Sequence, residues 1–333
     1  FTKKAASELR SRILGWGDEL RQVFLRSRSY RHLQNRLQNL DINRIVTGTL
    51  DSISEEILTD YRLPGTAPPI VIEDFVSNAL MVSTGLFSQG RHNSHSLRDY
   101  IAGLRGTAYR LSVSELAKTL RDIKDRFFHD QINVAQYQTN ASDPGVSRVC
   151  DAIHDYIQEL QDRLLFDFAR LEQEFLTRLR GGDLQRFLSG IRFVLVDEYQ
   201  DTNLLQEQIY FKLAEAALQN GGSIVVVGDD DQSLYRFRGA TVDLFQSFLV
   251  RVRRQLRVNP RVIYLSQNYR STQAIVRFCN AFVSLDQKFQ NARVSGKPQI
   301  TPARSRPFTD YPILGMFRND VDTLAADLAQ FIH

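Results

Sequence analysis

A chain of 333 residues with 43% hydrophobic and 10% aromatic content holds enough apolar material for two or three packed domains, which excludes a disordered polymer. A formal charge of +4 and an isoelectric point near 9.1 permit nucleic-acid binding without demanding it. Cys150 and Cys279 lie far apart with no CxxC, and no apolar stretch is long enough to span a bilayer. A disulfide framework, a zinc cluster and a membrane partner are therefore not expected, and the cytoplasm is the expected compartment.

In chain order, Phe1-Thr2 reads as the end of a strand, and Ala5, Leu9 and Ile13 share one face of an amphipathic helix. Residues 20–40 continue helically with a basic face of Arg21, Arg26, Arg28, Arg31 and Arg36. Residues 45–50 read as a short strand and 52–61 as a helix. Leu63-Pro64-Gly65-Thr66-Ala67-Pro68-Pro69 marks a first domain boundary. Residues 62–162 are mostly helical, with polar loops around Gly90 and Pro144. His92 and His95 fall in the first of these loops and read as solvated rather than as zinc ligands.

The rhythm then changes. Phe193-Val194-Leu195-Val196 and Ile224-Val225-Val226-Val227 are short apolar runs that end in acidic residues, with a helical segment between them. That pattern predicts an α/β fold whose parallel sheet is buried on both faces. A third strand is expected at Val262-Ile263-Tyr264-Leu265, after a basic segment with Arg251, Arg253, Arg254 and Arg257, and before a helix over 274–282.

Open parallel sheets bind ligands at the carboxyl ends of their strands, so the residues there carry the chemistry. The first run ends in Asp197-Glu198-Tyr199-Gln200-Asp201. An Asp in this place can hold Mg²⁺ through its water shell, and the adjacent Glu can activate a water beside a phosphate. A solvated strand end is the competing reading. The second run leads into Gly228-Asp229-Asp230-Asp231-Gln232, where the Gln232 amide can both donate to a phosphate oxygen and accept from a water. Tyr235, Arg236, Phe237 and Arg238 follow, a mixture suited to stacking bases while meeting phosphates, or to ordinary packing. The third leads into Gln267-Asn268-Tyr269-Arg270-Ser271-Thr272. Arg270 offers a guanidinium to a transferring phosphoryl group, a contribution worth about 10³- to 10⁵-fold in rate in such systems. Ser271-Thr272 is equally a helix cap.

Taken together and in this order, the three segments closely resemble motifs II, III and IV of superfamily 1 helicases of the UvrD/Rep/PcrA type. Residues 1–9 resemble motif Ia, and Thr49-Leu50-Asp51-Ser52 resembles a later Thr-Phe-His-Ser segment, with Asp51 where many relatives carry His. Phe166-Asp167-Phe168-Ala169-Arg170-Leu171 resembles the family's Asp-Phe-Asp-Asp-Leu stretch imperfectly.

The resemblance implies a RecA-like domain 1A formed by residues 1–61 and 163–258, a helical 1B insertion at 62–162, and the beginning of a second RecA-like domain, 2A, at 259–333. It implies ATP and Mg²⁺ as cofactors, with Asp197 on the metal, Glu198 as catalytic base, Gln232 sensing the γ-phosphate, Arg270 stabilising its charge, and Tyr269 stacking on adenine. Single-stranded DNA and single-strand/duplex junctions would be the partners, met by Thr2, Lys3, Thr49, Tyr235, Phe237 and Arg238. Phe237 stands where relatives usually have Trp. The implied activity is ATP-driven 3′ to 5′ translocation and DNA unwinding in repair, replication or recombination.

No Gly-x-x-x-x-Gly-Lys-Ser/Thr occurs in these residues, and motifs V and VI would follow His333. A fragment cut at both ends, inactive by itself, is therefore expected. The alternatives are a non-catalytic DNA-binding relative and the helicase part of a RecB/AddA-type helicase-nuclease.

Overall fold

In a computed structural model, the described residues are 3–87, 93–106, 111–232, 242–285, 287–303, 313 and 315–332. The chain divides into two compact units, one of residues 1–229 and 233–244, the other of residues 230–232 and 245–333.

The first unit opens with α1 (Lys3–Arg26), α2 (Gln34–Gln38) and α3 (Leu50–Asp60). Strand β1 (Ile70–Val71) leads into α4 (Asp74–Leu80), which continues as a π-helical turn, Met81–Leu86, followed by α5 (His95–Arg105), α6 (Val113–His129), α7 (Val134–Asn140) and α8 (Pro144–Asp162). Then come β2 (Leu165–Phe166), α9 (Phe168–Gly181), α10 (Gln185–Leu188), β3 (Phe193–Val196), α11 (Leu204–Gln219), β4 (Ser223–Val226) and α12 (Val242–Gln246). Elements of the second unit are α13 (Phe248–Leu256), β5 (Gln267–Asn268), α14 (Gln273–Leu285), α15 (Gln287–Ala292), β6 (Thr301–Pro302) and α16 (Val321–Ile332). Among the described residues three parallel strand pairs form, β1 with β2, β3 with β4 and β5 with β6, so the chain is α/β. No described helix is long and apolar enough to cross a membrane.

Two apolar clusters hold the first unit. One gathers Met81, Leu86, Leu97, Ile101, Leu116, Leu120, Ile153, Tyr156 and Leu160 from α4 through α8. Helix α6 starts in a capping box, in which Glu115 N donates to Ser112 Oγ and Ser112 N to Glu115 Oε2, so two otherwise orphaned donors are satisfied before the apolar face begins. The second cluster packs Leu171, Phe175, Leu176 and Leu179 of α9 against Leu205, Ile209 and Leu213 of α11. Truncating solvent-free Phe175 to Ala would cost about 3–5 kcal/mol.

Helix α11 is the crossover between β3 and β4, which run parallel in register from Phe193 beside Ser223 to Val196 beside Val226. It too starts in a capping box, made by Asn203 and Gln206. The pairing needs Gly222, because a Cβ there would lie 1.5 Å from the Arg192 carbonyl oxygen. Val196 is buried, whereas Phe193, Leu195, Val225 and Val227 are exposed, so the expectation of burial on both faces is not met here.

Two expected strands differ. Residues 45–47 join no ladder and Gly48 is a bend; Arg10 Nη1 donates to Ile45 O (3.0 Å) and Thr47 Oγ1 (3.3 Å), and Thr49 turns the chain into α3. Val262, Ile263, Tyr264 and Leu265 are all exposed and unpaired with any described strand. The ladder begins only at Gln267. The helical stretch expected over 20–40 breaks after Arg26, where Ser27 is extended and a 3₁₀ segment, Arg28–Leu33, intervenes.

Candidate functional site

The acidic pair sits where the parallel sheet ends. Val227 N donates to Val196 O (2.8 Å) and Tyr199 N to Val227 O (3.0 Å), so the two strand ends stay stitched beyond the ladder itself. Between those bonds the chain presents Asp197 and Glu198, both exposed. Glu198 has φ 52° and ψ 43°, the left-handed region that non-glycine residues adopt at a cost. Asp197 Oδ1 accepts from Glu198 N at 3.0 Å, which supports the sharp turn.

Buried side chains anchor this turn from below. The Tyr199 hydroxyl donates to Glu207 of α11, and both residues are nearly free of solvent. Gln200, 3% exposed, donates from Nε2 to Glu198 Oε2 (2.5 Å) and accepts at Oε1 from Asp229 N (2.9 Å). One amide thus orients the Glu198 carboxylate and ties it to the end of β4. Sequence reasoning passed over Gln200. Its signal was an amide two residues beyond the acid, within reach once the chain turns.

Asp197 and Glu198 are oxygen donors facing solvent, and one oxygen of Asp197 is engaged only by a backbone N–H. Such a hard, exposed donor set fits hydrated Mg²⁺.

Thr49 is the N-cap of α3: its Oγ1 accepts from Ser52 N at 3.2 Å. Two residues on, half-buried Asp51 faces Glu172 of α9, which is 2% exposed. Glu172 Oε1 accepts from Gln206 Nε2 (2.8 Å), but no donor reaches its Oε2. Burial raises the pKa of both carboxyls, and that of Glu172, pushed further by the Asp51 charge, lies well above the usual range. Burial and these two acids also push the Tyr210 phenol up.

Of the remaining expected residues, Gln232, Tyr269 and Arg270 belong to the second unit, Lys3 to the first, and the others lie outside the described residues. Gln232 is exposed and ends a short 3₁₀ turn, Asp230–Gln232. Tyr269 and Arg270, both exposed, follow β5, where Asn268 Oδ1 accepts from Arg270 N (2.9 Å) and Ser271 N (2.7 Å). Lys3 opens α1. Thr2, Tyr235, Phe237 and Arg238 lie outside the described residues.

Comparison with known proteins bears on this geometry. The chain is 33% identical over 180 residues to ATP-dependent DNA helicase UvrD1 of Mycobacterium tuberculosis, covering 53% of the chain and 23% of that protein. It is 27% identical over 290 residues to DNA helicase II of Haemophilus influenzae, covering 85% and 33%. With ATP-dependent DNA helicase SRS2 of Saccharomyces cerevisiae it shares 26% over 327 residues, covering 94% and 24%. The chain thus spans a third or less of each of these relatives. The model of the UvrD/REP helicase N-terminal domain matches residues 1–252, a stretch that includes the acidic turn, its Gln200 support and the α11 crossover, and the chain belongs to that family.

Proposed function

We propose that this chain is the nucleotide-handling part of an ATP-dependent DNA helicase that moves 3′ to 5′ along single-stranded DNA. The observation that carries this reading is the Glu198 turn. A carboxylate is held in a left-handed backbone conformation at the carboxyl end of a parallel strand and oriented by a buried amide. Costly backbone geometry of this kind gathers where a side chain must be aimed.

Bound Mg²⁺ would neutralise charge on the ATP phosphates, and Asp197 would hold it. Glu198 takes the proton of the attacking water, Gln232 reads the γ-phosphate, and Arg270 stabilises the charge that develops on it. Tyr269, 67% exposed, has an open ring face for adenine. Thr2, Lys3, Thr49, Tyr235, Phe237 and Arg238 track the DNA strand by backbone contact and stacking, which suits movement past any sequence. Residues 62–162 correspond to a helical 1B insertion that meets duplex at a junction, and residues 259–333 to the start of a second RecA-like domain. The cytoplasm, with roles in repair, replication or recombination, suits such a motor. These residues alone would bind ATP poorly, since they contain no lysine-bearing phosphate loop.

The test is Glu198→Gln in the protein expressed from its complete gene. ATP turnover should vanish while ATP binding stays nearly intact, and Phe237→Ala should weaken single-strand binding more than nucleotide binding. Turnover at the wild-type rate in Glu198→Gln would remove Glu198 from the mechanism. No turnover in the wild type would favour a non-catalytic DNA-binding relative.

A further inference from the structure

Within the second unit, a charge cluster holds the turn that ends in Gln232. Arg293 grips Asp231 with both arms of its guanidinium, Nε to Oδ1 at 2.7 Å and Nη2 to Oδ2 at 2.8 Å. Lys297 Nζ donates to Asp230 Oδ1 (2.6 Å) and to Asp231 Oδ2 (2.8 Å). Val294 N donates to Asp230 Oδ2 at 2.6 Å. Both donors of Asp230 come from one tight bend, where Gly296 takes φ +78°, a conformation that strains any residue with a Cβ.

The four charged side chains are 3–18% exposed, so this is not a loose surface pair. Forked Arg–carboxylate contacts fix orientation as well as distance. In the three-residue turn, two side chains are thus locked to residues 293–297, and the exposed one is Gln232.

We propose that Arg293 and Lys297 are positioning residues for Gln232, setting where its amide stands by clamping the two aspartates that precede it. The proposal rests on the reading of Gln232 as the group that senses the γ-phosphate. Each cation acts through the turn, by way of the two aspartates. A displacement of about 1 Å in a group that must meet a reacting phosphate can lower the rate by up to about 100-fold.

The experiment uses the protein expressed from its complete gene and measures DNA-stimulated ATP turnover in the variants Arg293→Ala, Arg293→Lys, Lys297→Ala and Gln232→Ala, and in the double variant Gln232→Ala/Arg293→Ala. Arg293→Ala and Lys297→Ala should lower kcat by about 10- to 100-fold with a much smaller change in KM for ATP. Arg293→Lys, which keeps the charge but loses the fork, should fall between them and the wild type. In the Gln232→Ala background, Arg293→Ala should add almost nothing, whereas a merely structural ion pair would lower both backgrounds equally. Full kcat in Arg293→Ala, or an undiminished Arg293→Ala effect without Gln232, overturns the proposal. If instead Gln232→Ala turns over like the wild type, the reading of Gln232 fails first, and the proposal with it. Should Arg293→Ala not fold, the Arg293→Lys pair of measurements decides the matter in the same way.

Discussion

Helix α9 and its N-cap bury two carboxyl groups five residues apart, and the fold shifts their pKa values in opposite directions. Asp167, its N-cap, is 6% exposed and accepts from Lys124 Nζ (2.5 Å), Tyr156 Oη (2.9 Å) and Arg170 N (3.1 Å). Burial alone would raise its pKa, but the Lys124 charge and these three donors hold it below the usual carboxylate range. Lys124 in turn is enclosed by Asp167, by Asp125 at 2.6 Å, and by the rings of Phe128 and Tyr156. Glu172 accepts from Gln206 and faces a second acid, and burial together with the Asp51 charge raises its pKa well above the usual range. The two sites are about equally dry. What separates them is the neighbouring charge, a cation beside Asp167 and an acid beside Glu172, together with how many hydrogens point at the oxygens, so burial by itself does not fix the pKa of a carboxyl.

The strongest way to break this contrast is Lys124→Met. It leaves the Asp167 charge buried without its cation and should destabilise the fold by about 3–5 kcal/mol, read as a lower denaturant midpoint at unchanged slope. A loss below about 1 kcal/mol would mean that the pair is not what holds Asp167. Asp167→Asn should cost less, about 1–3 kcal/mol, because Lys124 retains Asp125 while the helix keeps a capping side chain.

The two sites should also respond to pH with opposite sign. Asp167, lowered in the fold, adds stability that is present above the ordinary aspartate pKa and lost as pH falls through its folded value. Glu172 and Asp51, raised in the fold, add stability that is complete below their ordinary range and lost as pH climbs through their folded values. That alkaline loss runs at about 1.4 kcal/mol for each pH unit over which one extra proton is held. Glu172→Gln, which mimics the protonated acid, should flatten it in melting curves taken as pH rises above the ordinary glutamate range. A slope identical to that of the wild type would show that Glu172 is ionised after all. The smallest effect should come from Asp51→Asn. Its amide can donate to Glu172 Oε2, which should raise stability near neutral pH by about 0.5–1.5 kcal/mol and flatten the same slope.

Features carried by short-range pattern were legible in the sequence. Strands β3 and β4, their parallel sense and the acids at their ends follow from β-branched runs divided by a helix of crossover length. Thr49 is visible as a motif residue, but residues 45–50 look like a strand in sequence, since β-branched letters alone cannot reveal that Arg10 donates to the carbonyl of Ile45. The run 262–265 misled for a similar reason: a strand needs an edge to pair with, and the pairing begins at Gln267. Asp51 stands out as an acid in the segment that resembles Thr-Phe-His-Ser. What it faces was invisible, because Glu172 comes from a helix far along the chain. The grip of Arg293 and Lys297 on Asp230 and Asp231 was hidden for the same reason: long-range charge contacts leave no local periodicity.

The left-handed bend at Glu198 has a practical consequence for dissecting this protein. Alanine or glutamine placed there inherits the backbone penalty, whereas glycine escapes it, a relief of about 1 kcal/mol. A glycine variant should therefore melt later than its alanine counterpart while being equally inert. The gap between the two melting points would report what the wild type gives up in robustness to keep a carboxylate aimed outward.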